Sequence, residues 1–157
     1  MADIEQYLHS NQIEYVLHEH PAVYTCDEVE EHLGALSSLP CKNLFLRDQK
    51  KRRFILLILP STSQLDLKVF GKEVGDKLSF GNAELLMDKL GLAPGAVSPF
   101  GLINDTQNEV EVYIDQAVYN ADLVRFHPNR NTASLELTRE MFHRFLETLI
   151  HKIEIIN

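Results

Sequence analysis

The sequence predicts an α+β fold, or a mixed-sheet α/β fold, formed by a single domain. Helical and β-compatible segments follow one another without the regular strand–helix alternation that a doubly wound sheet requires. The 157 residues, 45% of them hydrophobic, suffice for one core but are short for two domains. The sequence shows no internal repeat, low-complexity tract or linker, so one domain is predicted over residues 1–157.

Helices are predicted where apolar residues recur at spacings of three and four and a cap or stop residue marks an end. They are residues 3–11, a helix capped by Thr25 or Asp27 that runs through Glu31 and ends at Gly34, residues 65–74, residues 83–90 before Gly91, and a last helix capped by Thr138. The last helix carries an apolar stripe typical of a core-facing helix, formed by Met141, Phe142, Phe145, Leu146 and Leu149.

Strands are predicted from short apolar-rich or alternating segments. They are residues 14–17, 42–47, 53–59, 109–114, 123–126 and 134–137. The second and third of these form a hairpin at the centre of the predicted sheet. Its turn holds the basic run Lys50-Lys51-Arg52-Arg53, which we interpret as a solvated hairpin tip, with contact to a phosphate backbone as the alternative.

Charge and composition exclude several classes of protein. Fifteen basic against twenty-three acidic residues give a net charge of −8, which argues against non-specific binding along nucleic acid. A nucleic-acid partner would therefore have to bind at a local site. The strongest apolar segment, Phe54 to Pro60, is too short to span a membrane, and the N-terminus lacks the pattern of a signal peptide. Cys26 and Cys41 form no Cys-x-x-Cys pair, which suits a reducing compartment. A cytoplasmic location is therefore expected.

Motifs of the large enzyme classes are absent. The sequence has no phosphate-binding loop, dinucleotide fingerprint, Gly-x-Ser-x-Gly elbow or His-Glu-x-x-His motif. His18 and His20 alternate on one strand and, with Asp27, suggest a metal site, but no third ligand follows at a familiar spacing. We predict two ordinary histidines at a strand edge, no metal and no cofactor.

Three local features stand out, although each alone is compatible with a structural role. Lys42 opens an otherwise apolar strand. Residues 95–101 form a loop of small residues whose Pro and Gly positions fix the backbone, so that its amide groups can face a ligand. His127 precedes Pro128 and is therefore biased towards extended geometry in a polar, turn-rich segment.

Taken together, these features belong to blocks that span most of the chain. The blocks are Glu19-His20-Pro21-Ala22-Val23-Tyr24, Cys41-Lys42-Asn43-Leu44-Phe45-Leu46-Arg47-Asp48, Leu78-Ser79-Phe80-Gly81, residues 95–105 and residues 126–131. In this order they resemble the YbaK/ProX superfamily of aminoacyl-tRNA deacylases, in the branch that contains free-standing alanyl-tRNA(Pro) deacylases and the editing insertion of bacterial prolyl-tRNA synthetases.

The resemblance implies a mixed, mostly antiparallel sheet flanked by helices, an essential lysine, a Gly-x-x-x-Pro loop that lines the aminoacyl pocket, and a histidine near the substrate. These roles fall to Lys42 and His127 as catalytic residues and to the loop residues Gly95, Ala96, Val97, Ser98 and Pro99. Further substrate-binding candidates are Asn43 and Asn131. Candidate walls of the pocket, for which plain core packing is the alternative, are Val23, Leu44, Phe45 and Val97.

The implied function is hydrolysis of mischarged alanyl-tRNA(Pro) in trans, with prolyl-tRNA(Pro) rejected by pocket size. An aminoacyl ester is already activated, so positioning, loop amides that stabilise the oxyanion and a protonated Lys42 are expected to suffice without a covalent nucleophile. The implied partner is the 3′ acceptor end of tRNA(Pro), with prolyl-tRNA synthetase or an elongation factor as an additional partner, and neither DNA nor a membrane. Alternatives are a cysteinyl-tRNA(Pro), serine-specific or broader deacylase of the same fold, and a non-catalytic module that binds aminoacyl-tRNA or an amino acid.

Overall fold

The computed structural model describes residues 3–22 and 36–157, and its strands form one eight-stranded mixed sheet. The sheet order is β1-β7-β6-β2-β3-β5-β8, and β4 pairs with β2 beside this path. The strands are β1 Val16–Glu19, β2 Leu39–Asp48, β3 Phe54–Pro60, β4 Leu78–Phe80, β5 Val110–Asp115, β6 Leu123–Phe126, β7 Ala133–Thr138 and β8 Ile153–Ile156. Four pairings are antiparallel and three are parallel, which confirms the mixed, mostly antiparallel sheet.

Helices flank this sheet in the described part of the chain. They are α1 Ile4–Ser10, α2 Leu67–Val74, α3 Ala83–Leu90, the 3₁₀ helix η1 Pro99–Asn104, α4 Gln116–Tyr119 and α5 Arg139–Glu147. None of these helices is long and apolar enough to cross a bilayer. The predicted helix at 25–31, Val23 and Cys26 lie outside the described residues.

The central hairpin of β2 and β3 divides the core into two. Along β3, every residue from Phe54 to Leu59 is buried, because alternate side chains enter opposite layers. Phe54, Leu56 and Ile58 join a first core with α1, α3, η1 and α5, whereas Ile55, Leu57 and Leu59 join a second core with Phe70 of α2. The sheet is therefore covered on both faces, and side-chain parity along β2 tells which face a residue serves.

Local capping signals agree with the predicted helix ends. Thr138 accepts a hydrogen bond from the amide of Met141 at the start of α5, and Phe142, Phe145 and Leu146 of the predicted stripe are buried. Gly91 ends α3 in the left-handed region, with φ of 67°. These are residues whose side chain, or lack of one, suits the conformation within one turn of the helix.

Other predictions need correction. β2 begins at Leu39, so Lys42 is its fourth residue and does not open it. β1 starts at Val16 instead of Glu14 and runs to Glu19. Four short elements, β4, η1, α4 and β8, were not predicted from the sequence.

The prediction of a solvated basic tip fails at its last residue. Lys51 has φ of 56° in the turn, and Lys50, Lys51 and Arg52 are exposed. The Arg53 guanidinium instead donates to both carboxylate oxygens of Glu111 at 2.6 and 2.7 Å and to Asp76 at 2.8 Å. These hydrogen bonds raise the pKa of Arg53 above its ordinary value. Arg53 therefore anchors the hairpin to β5 and to the end of α2.

Candidate active site

A split in the sheet runs along one edge of β2. On this side β6 pairs with β2 only at Leu39 and Pro40, and β4 pairs with it only from Leu46 to Asp48. Among the described strands, none pairs with the edge of β2 from Asn43 to Leu44, between these two neighbours. A gap of this kind leaves main-chain polar groups available to a ligand.

Lys42 lies in β2 and His127 follows β6, the two strands that part at this split. The parallel register pairs Leu39 with Val124 and Pro40 with Arg125, and Lys42 and His127 each come two residues after the second pair. β6 ends at Phe126, and His127 is the first residue after it. The two predicted catalytic residues thus belong to neighbouring chain segments, although they are far apart in sequence.

Lys42 lies on the second-core face of β2. Leu44 and Leu46 pack in that core, and strand alternation places Lys42 on the same side. Its ammonium donates a hydrogen bond to the main-chain carbonyl of Ser63, in the loop before α2. An ammonium has three N–H groups, so two remain for a substrate.

Asn43 presents different groups to the split. The carbonyl of Pro40 accepts from Ser61 on the β3 side, and that of Phe45 accepts from Gly81 on the β4 side. By alternation, the main-chain N–H and C=O of Asn43 point away from β3 and into the gap. Its side-chain Oδ1 is buried without a hydrogen-bond partner among the described residues, which makes Asn43 a fitting residue for substrate contact.

His127 is held as a neutral imidazole. Its Nδ1 lies 3.1 Å from the carbonyl oxygen of Ala133, which can only accept, so Nδ1 carries the proton. Burial lowers the pKa of His127 below its ordinary value, partly offset by this hydrogen bond, and the nearby His20 lowers it further. The lone pair on Nε2 is therefore the group that His127 offers to a substrate or a water molecule.

The Gly95–Pro99 loop is hydrogen-bonded to the segment that follows His127. Gly95 has φ of 87°, a conformation that favours glycine, and Ser98 is fully buried. The Ser98 hydroxyl accepts from the amide of Phe100 at 3.1 Å and donates to Oδ1 of Asn129 at 2.6 Å. The amide of Ala96 donates to the Ala93 carbonyl. Within the described structure, the amides of Gly95, Val97 and Ser98 donate to no main-chain carbonyl.

A polar cluster that was not predicted from the sequence lies beside His127, on the sheet face opposite the first core. His18 Nε2 lies 2.6 Å from Glu136 Oε1, and His20 Nε2 lies 3.0 Å from the Ser134 hydroxyl. Arg125 is 3% exposed on the same face. Burial alone would raise the pKa of Glu136, but its polar neighbours, His18 among them, hold it below the ordinary value. The alternation of Ser134 and Glu136 with apolar neighbours was the available signal.

The remaining predicted site residues lie in the loop after His127 and in the two cores. Asn131 is half-buried in the loop after His127. Phe45 is buried in the first core with its ring stacked on Phe54, Val97 packs against the same core, and Leu44 packs against the second. Their roles in a pocket wall stay predictions.

Within residues 3–22 and 36–157, no group of three or more His, Cys, Asp or Glu side chains could hold a metal ion. His18 and His20 instead bond to Glu136 and Ser134. The chemistry that the split offers is that of hydrogen-bond donors, one ammonium and one neutral imidazole.

Comparison with known proteins identifies the family of this chain. Residues 20–145 match the family model described as the aminoacyl-tRNA editing domain. This chain belongs to the aminoacyl-tRNA editing domain family. The editing domain is thus a hydrolase, an aminoacyl-tRNA deacylase, as the resemblance to the YbaK/ProX superfamily implied.

Relatives of the editing domain match over most of their length. The prolyl-tRNA editing protein ProX of Acetoanaerobium sticklandii is 39% identical over 137 residues, which cover 87% of this chain and 84% of that protein. The prolyl-tRNA synthetase associated domain-containing protein 1 of Mus musculus is 32% identical over 161 residues, covering 99% and 95%.

Solved structures support the fold of the editing domain. A protein described as a candidate trans-editing enzyme for prolyl tRNA synthetase superimposes with a TM-score of 0.74 at 20% identity, covering 98% of this chain and 93% of that one. The hypothetical protein APE2540 gives a TM-score of 0.76 at 16% identity, covering 98% of each chain. At these identities the likeness shows the fold alone.

Proposed function

We propose that the editing domain hydrolyses alanyl-tRNA(Pro) in trans and spares prolyl-tRNA(Pro). The name of the 39% identical ProX relative supports prolyl-tRNA editing. The observation that carries the proposal is that Lys42 lies on β2 and His127 follows the neighbouring strand β6, while Ser98 bonds the Gly95–Pro99 loop to Asn129, two residues after His127. Synthetase pockets that hold proline accept the smaller alanine, which creates the need for such an activity.

The proposed reaction requires no covalent enzyme intermediate. The amides of Val97 and Ser98 donate to the ester carbonyl oxygen, whose negative charge grows as water attacks. Nε2 of His127 accepts the proton of this water, the new C–O bond forms, and the bond to the ribose oxygen breaks. The proton then passes to the leaving ribose oxygen, which becomes a hydroxyl, and the products are free alanine and intact tRNA.

Lys42 acts by positioning in this scheme. Its carbonyl contact with Ser63 fixes the side chain, and its remaining N–H groups bind the terminal ribose or its phosphate. Holding the ester in a reactive geometry converts an encounter into an intramolecular step, which can supply several kcal/mol, roughly 7 at the lower end. Asn43, level with the gap, is proposed to orient the amino acid end.

Specificity is proposed to come from steric exclusion of proline from the aminoacyl pocket. One missing methylene changes binding by only about 1–3 kcal/mol, so a pocket cannot hold proline and refuse alanine. A rigid loop that is too tight for the pyrrolidine ring reverses the preference. The half-buried Ser98–Asn129 hydrogen bond supports such rigidity.

The test is the rate at which the wild-type protein deacylates alanyl-, cysteinyl-, seryl- and prolyl-tRNA(Pro). Lys42→Ala is compared with Lys152→Ala, because the Lys152 side chain is 87% exposed and lies just before β8. We expect rapid loss of alanine, retention of proline, at least about a hundredfold loss of rate in Lys42→Ala and an unchanged rate in Lys152→Ala. Preference for cysteine or serine overturns the alanine assignment, and no turnover of any ester favours a binding module. Addition of prolyl-tRNA synthetase or an elongation factor tests whether either is a partner.

A further inference from the structure

Charge is strongly segregated along this acidic chain. Residues 42–77 hold nine Lys and Arg against four Asp and Glu, whereas the remaining residues hold six against nineteen. The net charge of −8 therefore hides one basic segment. Such a segment is a local electrostatic footprint for a polyanion.

The fold gathers this segment on one surface. The guanidinium of Arg53 donates to the carbonyl of Val74 and to Asp76, which fastens the β2–β3 turn to the end of α2. Pairing of Asp48 with Leu78 then sets Lys77 beside the same turn. We call this surface the basic face and define it by Lys50, Lys51, Arg52, Lys68, Lys72 and Lys77.

The basic face has a groove and unneutralised charge. An open groove of about 750 Å³ runs past α2 and the start of β4, between Lys68, Lys72 and Lys77. All six basic side chains of this face are exposed. In the described part of the chain none of these side chains is in an ion pair, whereas Arg53, Lys89 and Lys152 all are. Their charge is available to an external anion.

An exposed aromatic residue lies between this face and the split. Phe80 of β4 is 57% exposed and pairs with Leu46 of β2. Leu46 faces the second core, so Phe80 and Lys42 lie on the same side of the sheet. Along β2 the four residues from Leu46 to Lys42 span about 13 Å. Lysines, an aromatic ring and the candidate site thus follow one another across one face.

We propose that the basic face and Phe80 bind the RNA of the aminoacyl-tRNA substrate, an inference that rests on the proposed function. The lysines contact phosphates of the base-paired acceptor stem, and Phe80 stacks on a base of the single-stranded 3′ end on its way to Lys42. Phosphate contacts fix position without reading sequence, and aromatic stacking is tolerant of the base. The surface therefore supplies affinity and register, and discrimination between amino acids stays with the split.

The test compares two substrates and two matched charge changes. The first double variant, Lys68→Glu/Lys72→Glu, alters two exposed lysines of the basic face. The control, Arg144→Glu/Lys152→Glu, makes the same change of charge at two exposed positions outside this face. Each is assayed on full-length alanyl-tRNA(Pro) and on the alanyl ester of adenosine, with melting temperatures measured to verify folding. We expect the first pair to raise KM for the full tRNA about tenfold or more, to leave the small ester unaffected and to reduce the salt slope by about 2.

Phe80→Ala is a second, independent variant. We expect a loss of binding to the full tRNA of about tenfold, because stacking contributes about 1–3 kcal/mol per base. Equal effects of the two charge pairs, or equal losses on both substrates, overturn the RNA-binding face while an active, Lys42-dependent enzyme keeps the proposed function. If no ester is hydrolysed, filter binding of uncharged tRNA still decides the matter, and unchanged binding by all these variants overturns the proposal.

Discussion

The hydroxyl of Ser98 donates a hydrogen bond of 2.6 Å to Oδ1 of Asn129, joining the Gly95–Pro99 loop to the segment that follows His127. Ser98 is fully buried and also caps η1 through the amide of Phe100. One side chain therefore sets the loop whose amides are proposed to bind the oxyanion and, through Asn129, the segment that follows His127. Loss of this hydrogen bond should affect both stability and specificity.

Replacement of Ser98 by alanine tests this link. We expect Ser98→Ala to lower the free energy of unfolding by about 1–3 kcal/mol, because it leaves Asn129 Oδ1 and the Phe100 amide without their partner. We also expect a smaller ratio of alanyl- to prolyl-tRNA hydrolysis, because the loop is less rigid. Urea unfolding and the two rates measure these effects. Ser61→Ala, on a half-buried serine whose described contact is through the main chain, is the control, and an unchanged ratio in Ser98→Ala contradicts the role in specificity.

The neutral state of His127 predicts the pH dependence of hydrolysis. Burial holds the folded pKa below the ordinary value of 6.5, so kcat/KM should rise with pH through that lower pKa and be flat above about 6.5. The unfolded chain binds more protons than the folded one between these two values, so stability should also fall as pH drops through this window. Rate and unfolding measurements from about pH 4.5 to about pH 8 check both.

Substitution of His127 separates its chemical role from a structural one. We expect His127→Gln to lower kcat by about a hundredfold, as is typical for loss of a general base, and to abolish the acidic limb of the profile. His9→Gln at an exposed position should leave rate and profile unchanged. If the acidic limb persists in His127→Gln, another group accepts the proton.

Helix ends were predictable because their signals are local. Thr138 and Gly91 act on amides and carbonyls within one turn, so the sequence around each suffices to place it. The three-residue strand β4 and the four-residue strand β8 are too short for a reliable period, and they form because longer strands offer them an edge.

The split could not be predicted from spacing. It depends on where β6 stops pairing with β2. The two strands pair only at residues 39–40 of β2 and 124–125 of β6, which are far apart in sequence. The polar cluster is similarly non-local, since His18 and Glu136 are 118 positions apart. The family resemblance pointed to Lys42 and His127 as separate residues, and the fold shows that each follows a paired position of the neighbouring strands β2 and β6.

Arg53 offers a direct comparison within one basic run. Its planar guanidinium bonds to Glu111, Asp76 and the carbonyl of Val74, a set that a lysine ammonium cannot reproduce. We expect Arg53→Lys to destabilise the fold by about 1–3 kcal/mol, since it leaves a charged acceptor without a partner. Lys51→Ala should stay within about 0.5 kcal/mol because that side chain is exposed. Chemical unfolding compares them, and equal stability of the two variants contradicts the anchoring role.

A buried pair fastens the C-terminal strand. Nε2 of His151 donates to Asp105 at 2.7 Å, and the two side chains are 1% and 4% exposed. The same carboxylate accepts from the amides of Glu109 and Val110, so it holds both the start of β5 and the segment before β8. Asp105 belongs to one of the family blocks, but nothing in the sequence pattern indicates His151 as its partner.

Removal of either partner should weaken the fold by different amounts. We expect His151→Ala to cost about 2 kcal/mol and Asp105→Ala more, about 3–5 kcal/mol, because the second change leaves three donors, two of them buried, without an acceptor. The double variant should cost less than the sum of the two, since the shared bond is lost only once. Urea denaturation of the three variants measures this coupling, with Lys152→Ala as the neighbouring exposed control. Additive losses would mean that His151 and Asp105 stabilise the protein independently, and that β8 is held by its pairing with β5 and not by this bond.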